Sequence, residues 1–173
     1  MEGFDDMAFE DLIGALRENP AAAGIDPNHH HKPEDERIFV FGSNFLGQHG
    51  AGAAWYAHSK LGAEMGVGEG PTGRTYALPT CFAPGLPVDL DTLRDAVDNF
   101  IRYARLNPQL RFFVSEVGCG IAGFYVREVA ELFDGAPPNC DLPPSFHEYY
   151  ASCQCDMCGQ PGCTSDHVGD IEY

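Results

Sequence analysis

Two glycine-rich stretches carry residue types that could hold an anion. The first is Gly47-Gln48-His49-Gly50-Ala51-Gly52; the second is Gly118-Cys119-Gly120-Ile121-Ala122-Gly123-Phe124. Glycine lets the backbone take positive φ and approach a ligand closely. Main-chain N–H groups at such turns, with the positive end of a following helix, suit a phosphate or carboxylate. One such turn serves equally well to pack a helix tightly on a strand, so a single pattern decides little. Two on one sheet edge would clamp a diphosphate from both sides. Asn44, just before the first turn, offers an amide that both donates and accepts. His49, inside that turn, would act as a general base on a water, donate to a phosphate, or simply bond a neighbouring loop carbonyl. Cys119 stands near a helix start, which would lower its thiol pKa; filling tight loop space is its plainer role. Glu116 is either a site carboxylate or a solvated strand end.

A second cluster lies near the end of the chain. Cys153, Cys155, Cys158 and Cys163 fall within eleven residues and are followed by His167. Four thiolates at that density would close a tetrahedral Zn²⁺ site, with His167 able to replace one of them. The open alternative is a tail with reactive thiols. Cys81, Cys119 and Cys140 sit singly, unlike a disulfide framework. The surroundings of the cluster are acidic, with no Lys or Arg after Arg127, which favours a structural staple or a protein contact over nucleic acid. His29, His30 and His31 would form a ligand patch or an exposed polar linker.

The intervening sequence must position these groups. Ile38–Phe41 is a continuous apolar run that suits a buried parallel strand. The spacing then predicts a helix over 53–65, with Trp55, Tyr56 and His58 mostly turned to the core, and a glycine-rich loop over 66–73. Thr75–Pro79 reads as a strand stopped by its proline. Residues 89–107 form the clearest helix, with the apolar stripe Leu90, Leu93, Val97, Phe100, Ile101 and Ala104 and Asp89 as cap. A strand over 111–117, a helix over 126–133 and a last strand over 139–142 follow. Strands alternating with helices imply βαβ crossovers and a mainly parallel sheet covered on its faces. Ligands bind such sheets beyond the carboxyl ends of the strands, where both glycine turns fall.

At these residues the chain resembles the macro domain, and more closely a divergent macro-domain-like family found in phage and bacterial genomes. Phe39-Val40-Phe41-Gly42-Ser43-Asn44 with Gly47 to Ala54 is similar to the macro-domain strand, asparagine and first glycine loop. Tyr76-Ala77-Leu78-Pro79-Thr80 resembles the next strand, and Val117 to Phe124 the loop around the diphosphate and distal ribose. The resemblance spans roughly residues 37 to 144 and implies a three-layer α/β/α fold that binds ADP-ribose or a related nucleotide. It implies that Asn44 faces the distal ribose, that the backbones of Gly50 to Ala53 and Gly118 to Gly123 meet the phosphates, and that Phe124 flanks the sugar or base. The first loop lacks the aspartate that hydrolytic members often carry. No strand bringing an adenine-binding aspartate is visible; Asp35 or Glu36 would have to substitute.

The whole chain has 173 residues, 44% of them hydrophobic, which suits one domain with a real core. It divides into an acidic arm (1–34), a core (35–147) and a Cys-rich tail (148–173). The arm places Phe9, Leu12, Ile13 and Leu16 at helical spacing, with Asp5 or Asp6 as cap. No apolar run reaches the ~18 residues of a membrane helix, and no basic segment precedes an apolar one, so the expected address is cytoplasmic. The net charge of −16 disfavours nucleic acid and anionic lipid, but leaves room for a small nucleotide held by local dipoles. Three functions follow: a module that binds and sequesters an ADP-ribose-like nucleotide, a hydrolase of ADP-ribosyl bonds using Asn44 and His49, or an interaction protein whose zinc tail does the work.

Overall fold

The computed structural model describes residues 35–152, so the arm and the cysteine cluster lie outside the described residues. The chain runs β1 (Ile38–Asn44), α1 (Gly52–Tyr56) continued by a π-helical turn (Ala57–Leu61), β2 (Gly70–Thr72), β3 (Thr75–Ala83) and β4 (Leu86–Pro87). It continues through α2 (Leu90–Leu106), β5 (Phe112–Val114), α3 (Val126–Leu132), β6 (Cys140–Asp141) and α4 (Pro144–Ser152).

Strand β1 is apolar on both sides, and the two sides enter different clusters. Phe39 and Phe41 share a core cluster with Ala54, Ala57 and Leu61 of the first helical segment; Val40 belongs to the other cluster, which includes residues of α2, α3 and α4. A strand covered on both faces belongs inside a parallel sheet. Accordingly, β3 and β5 flank β1, both parallel to it, and β6 pairs parallel with β5. Two short strands, β2 and β4, pair antiparallel with β3. The result is an α/β fold with a mixed, mostly parallel sheet of six strands in the order β2-β3-β1-β5-β6, with β4 also on β3. Among the described residues, four helices pack against it.

Helix α2 forms as its stripe predicts. Asp89 Oδ1 accepts from the Thr92 amide at 2.7 Å, and Leu93, Val97, Phe100, Ile101 and Ala104 are buried. Phe100 is the hub: its ring meets Tyr76 of β3 at 5.0 Å, Phe112 of β5 at 5.4 Å and Phe133 at 6.1 Å.

Other boundaries depart from expectation. Strand β3 runs through Pro79 to Ala83. Pro79 lies where its missing N–H has no ladder to break: β2 pairs no further than Ala77, β4 begins at Cys81, and the register with β1 shifts between Ser43 and Asn44. The first helical segment ends at Leu61 rather than 65, because Gly62 takes a left-handed φ of 86° that stops it. Within it, Tyr56 packs edge-on to Phe39, but Trp55 and His58 are exposed, against the expectation for that face. Helix α4 carries the packed core past residue 147. Its Phe146 is buried against Phe133, and the Tyr150 hydroxyl donates to the Ala130 carbonyl.

Candidate functional site

Topology picks out one place on the sheet. From β1 the chain crosses over one face, through α1, to β3. From β5 it crosses the opposite face, through α3, to β6. Strands β1 and β5 are neighbours whose outgoing connections diverge. The carboxyl ends of two such strands border a crevice, the usual ligand place of open α/β sheets. The first glycine turn follows β1 and the second follows β5.

The first turn is built by Asn44. Its side-chain Nδ2 donates to the Gln48 carbonyl at 2.8 Å, its Oδ1 accepts from the Gln48 amide at 3.2 Å, and its own carbonyl accepts from the Gly47 amide. Gly47 takes φ 63° and lies against the 66–68 segment, whose Gly66 amide donates to the Gly47 carbonyl at 2.9 Å. His49 turns inward: it is 2% exposed, edge-on to Phe41, with Nε2 3.1 Å from the Glu64 carbonyl. That contact places the ring proton on Nε2 and leaves Nδ1 buried without a hydrogen-bond partner. Burial lowers the His49 pKa; the Glu64 and Val67 carbonyls oppose the shift but do not outweigh it. Asn44 and His49 therefore hold the turn in shape. Beyond them, the amides of Gly50, Ala51, Gly52 and Ala53 donate to no backbone carbonyl among the described residues, and all four residues are partly open.

The second turn closes on itself. The Phe124 amide donates to the Gly118 carbonyl and the Gly123 amide to the Gly120 carbonyl, each at 3.0 Å. Inside this frame the amides of Gly120, Ile121 and Ala122 have no backbone acceptor among the described residues, and Ile121 and Gly123 are exposed. Gly118, at φ 79°, lies under Phe124; a Cβ there would stand 3.2 Å from the ring.

Thr80 joins this turn to the strand ends. Its hydroxyl donates to the Ser43 carbonyl at 3.2 Å. A Cβ added at Gly42 would meet Thr80 Oγ1 at 3.3 Å and the Gly118 nitrogen at 3.6 Å. Small residues at 42 and 118 thus let β1, β3 and the second turn meet. Sequence patterns do not flag Thr80, because its role exists only once the strands are paired.

Two expectations change. Cys119 is not an activated thiol: burial, helped by the charges of Glu116 and Glu128, pushes its pKa up to about 12. The start of α3 is served by its own Glu128, whose carboxylate accepts from the Tyr125 amide at 2.9 Å. Asp35 lies at the other edge of the sheet, where it pairs with Arg37; Arg37 also reaches Asp141. Neither Asp35 nor the adjacent exposed Glu36 stands at the carboxyl edge, so neither can take the role of an adenine-binding acid there.

Fold and site together define an α/β protein with a candidate ligand crevice at a topological switch point. The chain matches no family model, no curated protein and no solved structure. No helix among the described residues is long and apolar enough to cross a membrane, and no group of three or more His, Cys, Asp or Glu among them is placed to hold a metal ion.

Proposed function

We propose that this chain binds the diphosphate of an ADP-ribose-like, NAD-derived nucleotide between the two glycine turns, as a binding module of the macro-domain type. The observation that carries the reading is the position of two sets of main-chain amides without a backbone acceptor among the described residues, at Gly50–Ala53 and Gly120–Ala122, after adjacent parallel strands whose outgoing connections diverge. Amides so placed attract an anion without a charged side chain. Charge distribution supports the same reading. In a chain of net charge −16, residues 38–59, 75–88 and 117–126 contain no Asp, Glu, Lys or Arg. A phosphate approaching those stretches meets local dipoles and no charged side chain on the stretches themselves, although Glu116 and Glu128 stand near enough to the second turn to act on Cys119. Binding is favoured over hydrolysis because the polar atoms of Asn44 and the Nε2 of His49 are already engaged within the first turn.

Calorimetry with ADP-ribose tests this on the full-length chain. Wild type should give a saturable heat, and Gly120→Val should abolish it. Gly120 does not occupy the left-handed region, so a side chain there obstructs the turn without straining its backbone. Absence of binding by folded wild type rejects the reading. Chromatography of the ligand after long incubation should return it unchanged; a cleaved product would restore the hydrolase alternative.

The tail cysteines Cys153, Cys155, Cys158 and Cys163 carry a second, separate proposal: a structural Zn²⁺ site that staples the tail or offers a contact to a protein partner. Metal analysis of the purified chain should find one zinc per molecule, lost when Cys155 and Cys158 are both replaced by Ser. A metal-free wild type purified under reducing conditions and unable to take up zinc would reject it.

A further inference from the structure

Four large apolar side chains stand exposed just past β1, near the end of β3 and in β4: Phe45, Leu46, Phe82 and Leu86. Single exposed apolar residues are ordinary on any surface. Here, however, Phe45 (45% exposed) and Phe82 (44%) stack on one another, with ring centroids 6.0 Å apart and planes 24° from parallel. The backbone beneath them is fixed. The Phe45 amide donates to the Cys81 carbonyl at 3.1 Å, and the register shift sets Asn44 opposite Cys81. Gly68 passes so close that a Cβ on it would stand 2.8 Å from the Phe45 Cα. Exposed aromatic rings on a rigid frame are good anchors for a partner, because little freedom remains to be lost on binding.

Phe45 also opens the first glycine turn, directly after Asn44 and ahead of the amides at Gly50–Ala53. An aromatic surface and a phosphate-attracting backbone therefore lie on one short loop, and neither 43–48 nor 81–88 holds a charged residue. We infer that the Phe45–Phe82 pair is a stacking platform for the flat heterocycle of a phosphate-bearing ligand, and that the site selects a nucleotide over a sugar phosphate or bare pyrophosphate. This rests on the phosphate reading of the turns. Stacking on aromatic side chains tolerates any base, since every base presents a π-face. At 6.0 Å the two rings leave no slot between them, so the heterocycle lies on the outer face of the pair rather than between its members.

Equilibrium binding of AMP, ribose 5-phosphate and pyrophosphate to the full-length chain tests the platform. Wild type should prefer AMP to ribose 5-phosphate on the order of tenfold or more. Phe45→Leu should bring that preference close to unity while leaving pyrophosphate binding unchanged, and Phe45→Tyr should keep it. Both rings are exposed, so the variants should fold, and retained pyrophosphate binding reports that they do. Equal affinity of wild type for AMP and ribose 5-phosphate, or a preference that survives Phe45→Leu, overturns the platform alone. If pyrophosphate and AMP both fail to bind wild type, the phosphate reading of the turns falls and takes the platform with it. Concentration-dependent self-association that disappears in Phe45→Leu, with nucleotide preference intact, would instead assign the pair to a second copy of the chain.

Discussion

At Gly47 the backbone takes φ 63°, and an added Cβ would stand 2.7 Å from the Gly66 Cα and closer still to the Gly66 carbonyl carbon and the Val67 nitrogen. These are main-chain atoms that cannot swing aside. Gly47→Ala should therefore cost about 2–4 kcal/mol, from left-handed strain together with a backbone clash. Gly85→Ala makes the control: φ is 75° but nothing lies within 4 Å, so only the conformational cost of about 1 kcal/mol applies. Urea unfolding of the two variants separates the terms, and equal losses would show that the 66–67 segment gives way. His49 extends the same argument to pH. Burial lowers its folded pKa, whereas the unfolded imidazole takes up a proton near the ordinary value of 6.5. Below that value the unfolded chain binds more protons, so stability is full above about pH 6.5 and declines as pH falls toward the lowered folded pKa. His49→Gln should flatten the unfolding profile between about pH 7 and pH 5; an unchanged slope would acquit His49. For His49 the sequence left open both site chemistry and a bond to a loop carbonyl; the structure shows such a bond, but which carbonyl accepts it was not legible. The partners of His49 and Gly47, Glu64 and the 66–68 segment, come from a loop that lies beside them only after folding.

Between elements, Phe100 is the side chain on which most depends. It is fully buried, and its ring touches β3, β5 and Phe133 just after α3. Phe100→Ala should destabilise the domain by about 3–5 kcal/mol, and Phe100→Leu by clearly less, measured as shifts in the denaturation midpoint at unchanged slope. A loss near 1 kcal/mol for Ala would mean that the surrounding rings close the cavity. Helix α2 was legible because its stripe repeats over 17 residues and its cap is a standard one. The strands β1, β3 and β5 were legible as apolar runs between turns, and β6 was placed within 139–142 without such a run. Strand β2 was not: Gly70-Pro71-Thr72 has no strand character of its own and is held only by pairing with Thr75–Ala77. Pro79 misled for a related reason, since whether a proline breaks a strand depends on what its neighbours ask of that N–H. Trp55 was misplaced because helical spacing alone does not reveal how little of a two-turn segment the sheet can cover.

Across the whole molecule, acidic charge and buried thiols act together at high pH. Burial, reinforced by the Glu116 and Glu128 charges, pushes the Cys119 pKa up to about 12; burial and Asp141 do the same for Cys140, also to about 12. Tyr76 and Tyr150 are likewise raised to about 12, first by burial. In the unfolded chain the thiols release their protons near 9.0 and the phenols near 10.0. Above those values the unfolded state binds fewer protons than the folded one, so stability falls as pH rises through 9 and on toward 12. The thiols set the first part of this decline and the phenols join about one pH unit later. Urea unfolding at intervals from about pH 8 to pH 10.5 should show the decline in wild type. The double variant Cys119→Ala/Cys140→Ala should lose clearly less over the first part of this range, the remainder coming from Cys81, whose thiol pKa burial also raises. Both cysteines are half-buried and small, so the exchange for alanine leaves little cavity, and its neutral-pH stability provides the reference. A wild-type profile flat to pH 10.5 would mean that the thiols ionise in the folded state as readily as in water, and that the segments around Cys119 and Cys140 open to solvent there. For Cys119 that would place mobility in the second glycine turn, where the phosphate is proposed to bind.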